Sequence, residues 1–259
     1  MNRFLFFVIL LALFSCQEKS KESKNNSDQK TIEQDTIPKI ELKKLDSISI
    51  DPKWGNKLSE KEIKSIFNKR VKMRFDIEHP IHQAYSYTDE SGKYYLVLSL
   101  SEYILETDGK NDTLNDKLQS LYLTNKDNRL KKKSSISDEI DKDWESSISF
   151  WNKYSEFSDL DKDGLVDLIL VYGTTGQDMY ADGRMKIMIY HNKRRITIRH
   201  QNSEYGGRLT KINGQFYGLP LEIQKAVKEK MKLMTANKHA IFSKGWEQRM
   251  AKEATDLQD

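Results

Sequence analysis

The clearest chemical potential in this chain lies in four carboxylates of the stretch SDLDKDGLVDLILVYG, Ser158 to Gly173. Asp159, Asp161 and Asp163 alternate, Gly164 follows, and Asp167 comes three residues later. Carboxylates crowded in this way repel one another and raise each other's pKa unless a cation offsets the charge. Calcium takes roughly six to eight oxygen ligands, which a short loop supplies from alternate side chains and a backbone carbonyl, with glycine at the sixth position to permit a sharp turn. In that frame Asp159, Asp161 and Asp163 fill positions one, three and five, Gly164 the sixth, the Leu165 carbonyl the seventh and Asp167 the ninth. The pattern predicts a calcium site built from Asp159, Asp161, Asp163, Leu165 and Asp167. The competing reading is a polar turn whose aspartates face water.

An EF-hand loop needs a bidentate glutamate at position twelve, where this chain has Leu170. The flanks also differ from an EF-hand. LVDLILVYG is a short, nearly continuous apolar run, as expected of a strand covered on both faces. Upstream, SISFWNKYSEFSD is rich in β-branched and aromatic residues, although Ile140, Trp144, Ile148 and Trp151 also fit one face of a helix. The expectation is strand–loop–strand, with Asp167 as the last side-chain ligand and a structural role for the ion. Such a unit resembles the calcium loops of integrin-type propellers and their bacterial relatives. No repeat of fixed period runs through the chain, so a many-bladed propeller is not expected.

Other candidates are weaker. His79-Pro80-Ile81-His82 has a spacing that suits zinc, but Pro80 breaks local helical geometry and no cysteine joins it. Asp178 and Asp182, in GQDMYADGR, could complete a ligand shell or line a cleft. Glu156 and Asp178 could pair as acid and base for glycan cleavage, a mechanism that depends on their separation. No nucleophile elbow, phosphate loop or dinucleotide fingerprint occurs.

These groups sit in a chain that opens with the marks of export. Arg3 precedes an apolar run from Phe4 to Phe14, too short to span a bilayer but suited to a signal segment. Leu13-Phe14-Ser15-Cys16 resembles a bacterial lipoprotein cleavage box, with Cys16 as the lipidated residue. Cys16 is the only cysteine, so no intramolecular disulfide can form. The expectation is a signal segment over 1–15 and a membrane anchor through Cys16. The alternative is a soluble secreted protein in which the cysteine falls there by chance. Residues 16–45 are polar, of mixed charge and without apolar periodicity, which predicts a disordered tether. The net charge of +4 is a small excess over many charges of both signs. No basic stripe with interleaved aromatics points to nucleic acid.

The remaining residues, 46–259, are enough for one sizeable core and read as a single domain. Ser59 stands three residues before Glu62, a capping-box spacing that predicts a short helix through LSEKEIKSIFNKR. VKMRFDI, HQAYSYTD and KYYLVLSLSEYI read as strands, with a hairpin turn at Asp89 to Gly92 and a loop over TDGKNDTLND. KLQSLYLTNKDNRLKKKSSIS predicts a hairpin turning between Asn125 and Asn128, and RMKIMIYHNKRRITIRHQ one turning at Asn192-Lys193. TTGQDMYADG reads as a loop. Pro220 begins a helix with Ile223, Ala226, Val227, Met231 and Met234 on one face. The fold class is α+β: mainly antiparallel sheet in hairpins or meanders, a short N-terminal helix and a C-terminal amphipathic helix.

Taken together, the short signal, WNKYSEFSDLDKDGLVDLILVYGT, DGRMKIMIYHN and NKHAIF resemble a family of lipoproteins of the Bacteroidota labelled surface polysaccharide biosynthesis proteins. The resemblance covers roughly Trp144 to Trp246 and is sharpest at the aspartate loop. It implies a cell-envelope protein, anchored at the outer membrane, that affects surface glycan or binds glycan or an assembly partner. It offers no catalytic residue to carry over. The two other classes of function are a glycan-active enzyme using Glu156, Asp178 and Asp182, and a purely structural or adhesive surface protein.

Overall fold

Alternation decides most of this architecture. In the computed structural model, residues 47–107, 110–205 and 207–258 are described; the expected signal segment, the tether and Cys16 lie outside them. Along the strand Asp167–Gly176, Leu168, Leu170 and Tyr172 enter one apolar cluster while Ile169 and Val171 enter another on the opposite face. Both faces are covered, which is why the segment reads as an unbroken apolar run. The strand Gly92–Thr107 behaves the same way: Tyr94, Leu96, Leu98 and Leu100 point to one cluster, Tyr95 and Val97 to another.

The result is four layers, helix–sheet–sheet–helix. The first sheet is a meander of β2 (Gly55–Lys57), β3 (Ile81–Asp89), β4 (Gly92–Thr107), β5 (Lys110–Lys126) and β6 (Arg129–Glu139), in that order. The second contains β1 (Ser49–Ile50), β7 (Glu145–Phe150), β8 (Glu156–Ser158), β9 (Asp167–Gly176), β10 (Arg184–His191), β11 (Arg194–Gln201), β12 (Thr210–Ile212) and β13 (Asp256–Leu257). Its order is β1-β8-β9-β10-β11-β12-β13, with β7 also paired to β9. Pairings are antiparallel except β1 with β8. Tyr85, Tyr87 and Leu96 of the first sheet meet Phe157, Leu168 and Tyr172 of the second in the central layer. Helix α3 (Leu221–Ala236) covers the outer face of the second sheet through Ile223, Val227, Met231 and Met234. The outer face of the first is covered by Phe67 and Phe75, which cap α1 (Glu60–Ile66) and α2 (Lys69–Arg74).

The α+β class with mainly antiparallel sheet is therefore what the chain adopts, and the capping box is formed. Glu62 N–H donates to Ser59 Oγ, and Ser59 N–H donates to Glu62 Oε2 at 2.7 Å. The expected hairpin turns fall where the residues put them: Asp127 and Asn128 have φ of 52° and 57°, and Asn192 and Lys193 have 45° and 64°.

Three local expectations need correction. Val71 to Ile77 lies in helix α2 and the residues just after it, not in a strand: the Asn68 side chain accepts from Val71 N–H at 3.1 Å and starts a helical turn. TDGKNDTLND is largely strand, since Asn111 to Asn115 pair with Glu106 to Glu102 of β4. Asp112 and Thr113 are exposed there, as are Ile104 and Leu105 on the paired stretch of β4 at 69% and 44%. The alternative helical face of Ile140, Trp144, Ile148 and Trp151 is not formed, in keeping with the strand expected there: Ile148 is in β7, and Trp144 is exposed while Trp151 is buried. Pro220 stands one residue outside helix α3 as its N-cap, not in the first turn. A further short helix, α4 (Trp246–Ala251), packs Trp246 and Met250 into the same cluster as α3. Among the described residues no helix is long and apolar enough to cross a membrane.

Candidate metal centre

The aspartate loop is the connection of a β-hairpin. β8 and β9 pair antiparallel, with Ser158 opposite Asp167, so residues 159–166 form the loop between them. This is the expected strand–loop–strand arrangement. Lys162 and Gly164 have φ of 64° and 83°, and these two left-handed residues turn the chain back on itself. Backbone amides then fix the carboxylates. Gly164 N–H donates to Asp159 Oδ2 at 3.2 Å, Leu165 N–H to Asp163 Oδ1 at 2.8 Å, and Leu160 N–H to Asp167 Oδ2 at 3.0 Å.

Oxygens of Asp159, Asp161 and Asp167 lie within 4.8 Å of one another, and so do ligand atoms of Asp161, Asp163 and His191. The four predicted aspartates thus fall into two overlapping sets, with Asp161 common to both. Asp163 does not join the inner three; it faces Asp161 and His191 from the exposed side. Leu165, the fifth, is in the loop with its N–H committed to Asp163.

Sequence reasoning missed His191. Its position follows from register: β10 pairs with β9 so that Tyr190 faces Leu168, and one further step brings His191 beside Asp167. Nδ1 of His191 is 2.8 Å from Asp167 Oδ1 and 3.9 Å from Asp161 Oδ2. The Asp89–Gly92 turn of the other sheet was also missed as a neighbour. Asp89 Oδ1 accepts from Ser91 and Gly92 N–H, while its Oδ2 accepts from Val166 N–H at 3.2 Å. A Cβ on Gly164 would meet the Glu90 carboxylate at 3.0 Å, so the two turns are in contact.

The electrostatics of this centre are unfavourable without a cation. The side chains of Asp161 and Asp167 are only 9% and 3% exposed. Two such charges about 4–5 Å apart repel by about 3–4 kcal/mol at an effective dielectric constant of ~20. Asp159 Oδ1 is buried with no hydrogen-bond partner. Burial pushes the Asp167 carboxyl up to about 6, against the pull of the His191 and Leu160 hydrogen bonds, and the Asp161 charge adds to the rise. The cluster can hold a metal ion.

The remaining candidates do not assemble. Glu156 is in β8 opposite Ile169 and pairs with Lys230 at 2.6 Å. Asp178 and Asp182 lie beyond Gly176, at the other end of β9, where Asp178 N–H donates to Asp182 Oδ2 at 2.8 Å. The strand residues between Ile169 and Gly176 put about 23 Å between the two places. That is far beyond the roughly 5–9.5 Å of a glycosidase carboxylate pair. His79 and His82 join no group of three possible metal ligands among the described residues.

Comparison with family models, with curated proteins and with solved structures finds no match to this chain.

Proposed function

We propose that the β8–β9 loop holds a calcium ion, and that the protein is a lipid-anchored component of the cell envelope that supports surface polysaccharide assembly or binds glycan there. The observation that carries the metal reading is the convergence of Asp159, Asp161 and Asp167 oxygens within 4.8 Å, with Asp167 buried and the other two half-buried. The ion would offset their repulsion and tie the second sheet to the Asp89–Gly92 turn of the first. Extracytoplasmic calcium lies in the range that even weak sites of about 10⁻⁴–10⁻³ M can use. The envelope reading rests on the signal pattern ending at Cys16 and on the resemblance described above.

Calorimetric titration of the metal-free chain with calcium tests the first part, and no heat of binding at millimolar calcium would sink it. Labelling with a palmitate analogue, compared with Cys16→Ser, tests the anchor. The surface-glycan profile of a deletion strain tests the role, and an unchanged profile would leave a structural or adhesive protein instead.

One observation favours a second metal. A ring nitrogen of His191 lies within 4.8 Å of carboxylate oxygens of Asp161 and Asp163, and imidazole suits zinc, copper or nickel rather than calcium. With calcium His191 stays a hydrogen-bond donor to Asp167, whereas with a transition metal it becomes a ligand. Replacing it by glutamine separates the two: calcium affinity changes little, and zinc affinity falls at least tenfold.

A further inference from the structure

A cavity of about 500 Å³ opens between the two sheets beside the metal loop, bounded by Leu165 and Val166 on that side. Its size is within the roughly 300–1,000 Å³ of small-ligand pockets. Tyr94, Tyr122 and Tyr190 line it, from β4, β5 and β10. Tyr94 and Tyr122 stack at 5.6 Å with Tyr87 behind them, and Tyr190 leans on Tyr122 at 5.4 Å. The rings are held by the core, so a ligand meets a rigid floor. Hydroxyls cluster over that floor: Ser91 Oγ is 2.6 Å from Tyr94 Oη, and Ser134 Oγ is 3.4 Å from Tyr190 Oη.

The rim is cationic. Lys133, Lys193 and Arg195 all line the cavity, all are exposed, and none forms an ion pair among the described residues. Arg195 is braced instead by Ser134 Oγ and the Ser135 carbonyl, at 3.3 and 3.0 Å. The acid in the wall, Asp89, is already committed to Ser91, Gly92 and Val166 amides.

The geometry points to this cavity as the binding site for an acidic saccharide, a sugar ring bearing a carboxylate. Tyrosine rings suit the apolar face of a sugar, and hydroxyls that both donate and accept suit its hydroxyls. An unpaired guanidinium with two ammonium groups suits its carboxylate. A phosphate ligand fits less well. Phosphate sites draw on free backbone N–H groups at turns or helix N-termini, yet here the Leu165, Val166, Ser91 and Gly92 amides serve aspartates, and no helix lines the cavity. This inference rests on the glycan reading proposed above and names the class of glycan.

Calorimetry on the full-length chain in mild detergent tests it, with trigalacturonate, sialyllactose and a chondroitin disaccharide as acidic probes. Maltotriose serves as the neutral probe and AMP as the phosphate-bearing one. At least one acidic saccharide is expected to bind with a dissociation constant at or below about 1 mM, at least tenfold tighter than maltotriose or AMP. The double variant Lys133→Gln/Lys193→Gln, at two exposed positions, should weaken that binding about tenfold. Arg195→Lys should retain more of it than Arg195→Gln. Equal binding of maltotriose, preference for AMP, indifference to the double variant, or no acidic binding by 10 mM (roughly the weakest affinity worth a pocket) each overturns the inference. Calcium titrated without sugar reports the metal centre separately. Calcium bound with no acidic saccharide bound overturns this inference alone; the reverse result overturns the metal reading alone.

Discussion

At the scale of single residues, the loop makes opposite demands in two conditions. Without a cation, Asp161 is a buried charge beside two others. Asp161→Asn should therefore stabilise the calcium-free protein by about 1–2 kcal/mol, read as a higher midpoint in urea, and weaken calcium binding at least tenfold. A variant destabilised in both conditions would show that the carboxylate is held by the fold and not by an ion. Asp167 gives a pH dependence with a definite sign. Its carboxyl sits at about 6 in the folded, metal-free chain, above its ordinary 3.8. Its contribution is thus fully present below about pH 4 and lost as pH rises through 6, a change of about 3 kcal/mol. Calcium binds the ionised form, so its affinity should climb over the same interval. Chemical denaturation from pH 4 to 7, with chelator and with calcium, should give curves of opposite slope.

Among the elements, the β8–β9 hairpin shows what the sequence could and could not carry. Asp159 to Asp167 are contiguous, so their spacing and the glycine among them are visible in one line of text. His191 lies 24 residues from Asp167, and only the β9–β10 register brings it there. No local signal encodes that. Asp89 and Glu90 are more distant still, since contact depends on how one sheet packs on the other. Strands with alternating or doubly apolar patterns were legible because their period is short and repeated. Helix α2 was not, because Val71, Phe75 and Ile77 satisfy a strand composition while Asn68 supplies the cap that decides. The loop also depends on Gly164, whose φ of 83° favours glycine and whose Cα faces the Glu90 carboxylate. Gly164→Ala should cost about 1 kcal/mol of stability and weaken calcium binding several-fold. Replacing Glu90 by alanine in the same chain removes the crowding but not the backbone strain, so it should restore only part of either loss.

Across the whole molecule, the two sheets are joined at the edge of their shared core by a partly buried charge cluster. Asp138 comes from β6 of the first sheet; Arg184 and Lys186 come from β10 and Glu145 from β7 of the second. Arg184 Nη1 is 3.0 Å from Asp138 Oδ2 and its Nε 2.9 Å from Glu145 Oε1, while Lys186 Nζ is 2.6 Å from Asp138. Burial alone would raise the Asp138 carboxyl, but hydrogen bonds from Lys186 and Arg184 and their charges outweigh it and hold it below its ordinary value. The group therefore adds stability above about pH 4 and loses it as pH falls through its folded pKa. Glu145 is nearly inaccessible, its side chain only 3% exposed, and accepts from Thr174 Oγ1 as well. Removing the shared cation leaves Glu145 without its ion pair and Asp138 with Lys186 alone. Arg184→Met should thus destabilise by about 3 kcal/mol, because the Glu145 carboxylate is left buried without its ion pair. Arg184→Lys keeps the charge but cannot fork to both partners, and should fall between. Because the cluster spans the sheets, unfolding should remain a single transition for the wild type by tryptophan fluorescence and by circular dichroism. A loss under 1 kcal/mol (about the value of an exposed pair) would mean the sheets are held by apolar packing alone. Separate transitions in the Arg184→Met chain would instead identify this cluster as the link that makes the four layers unfold together.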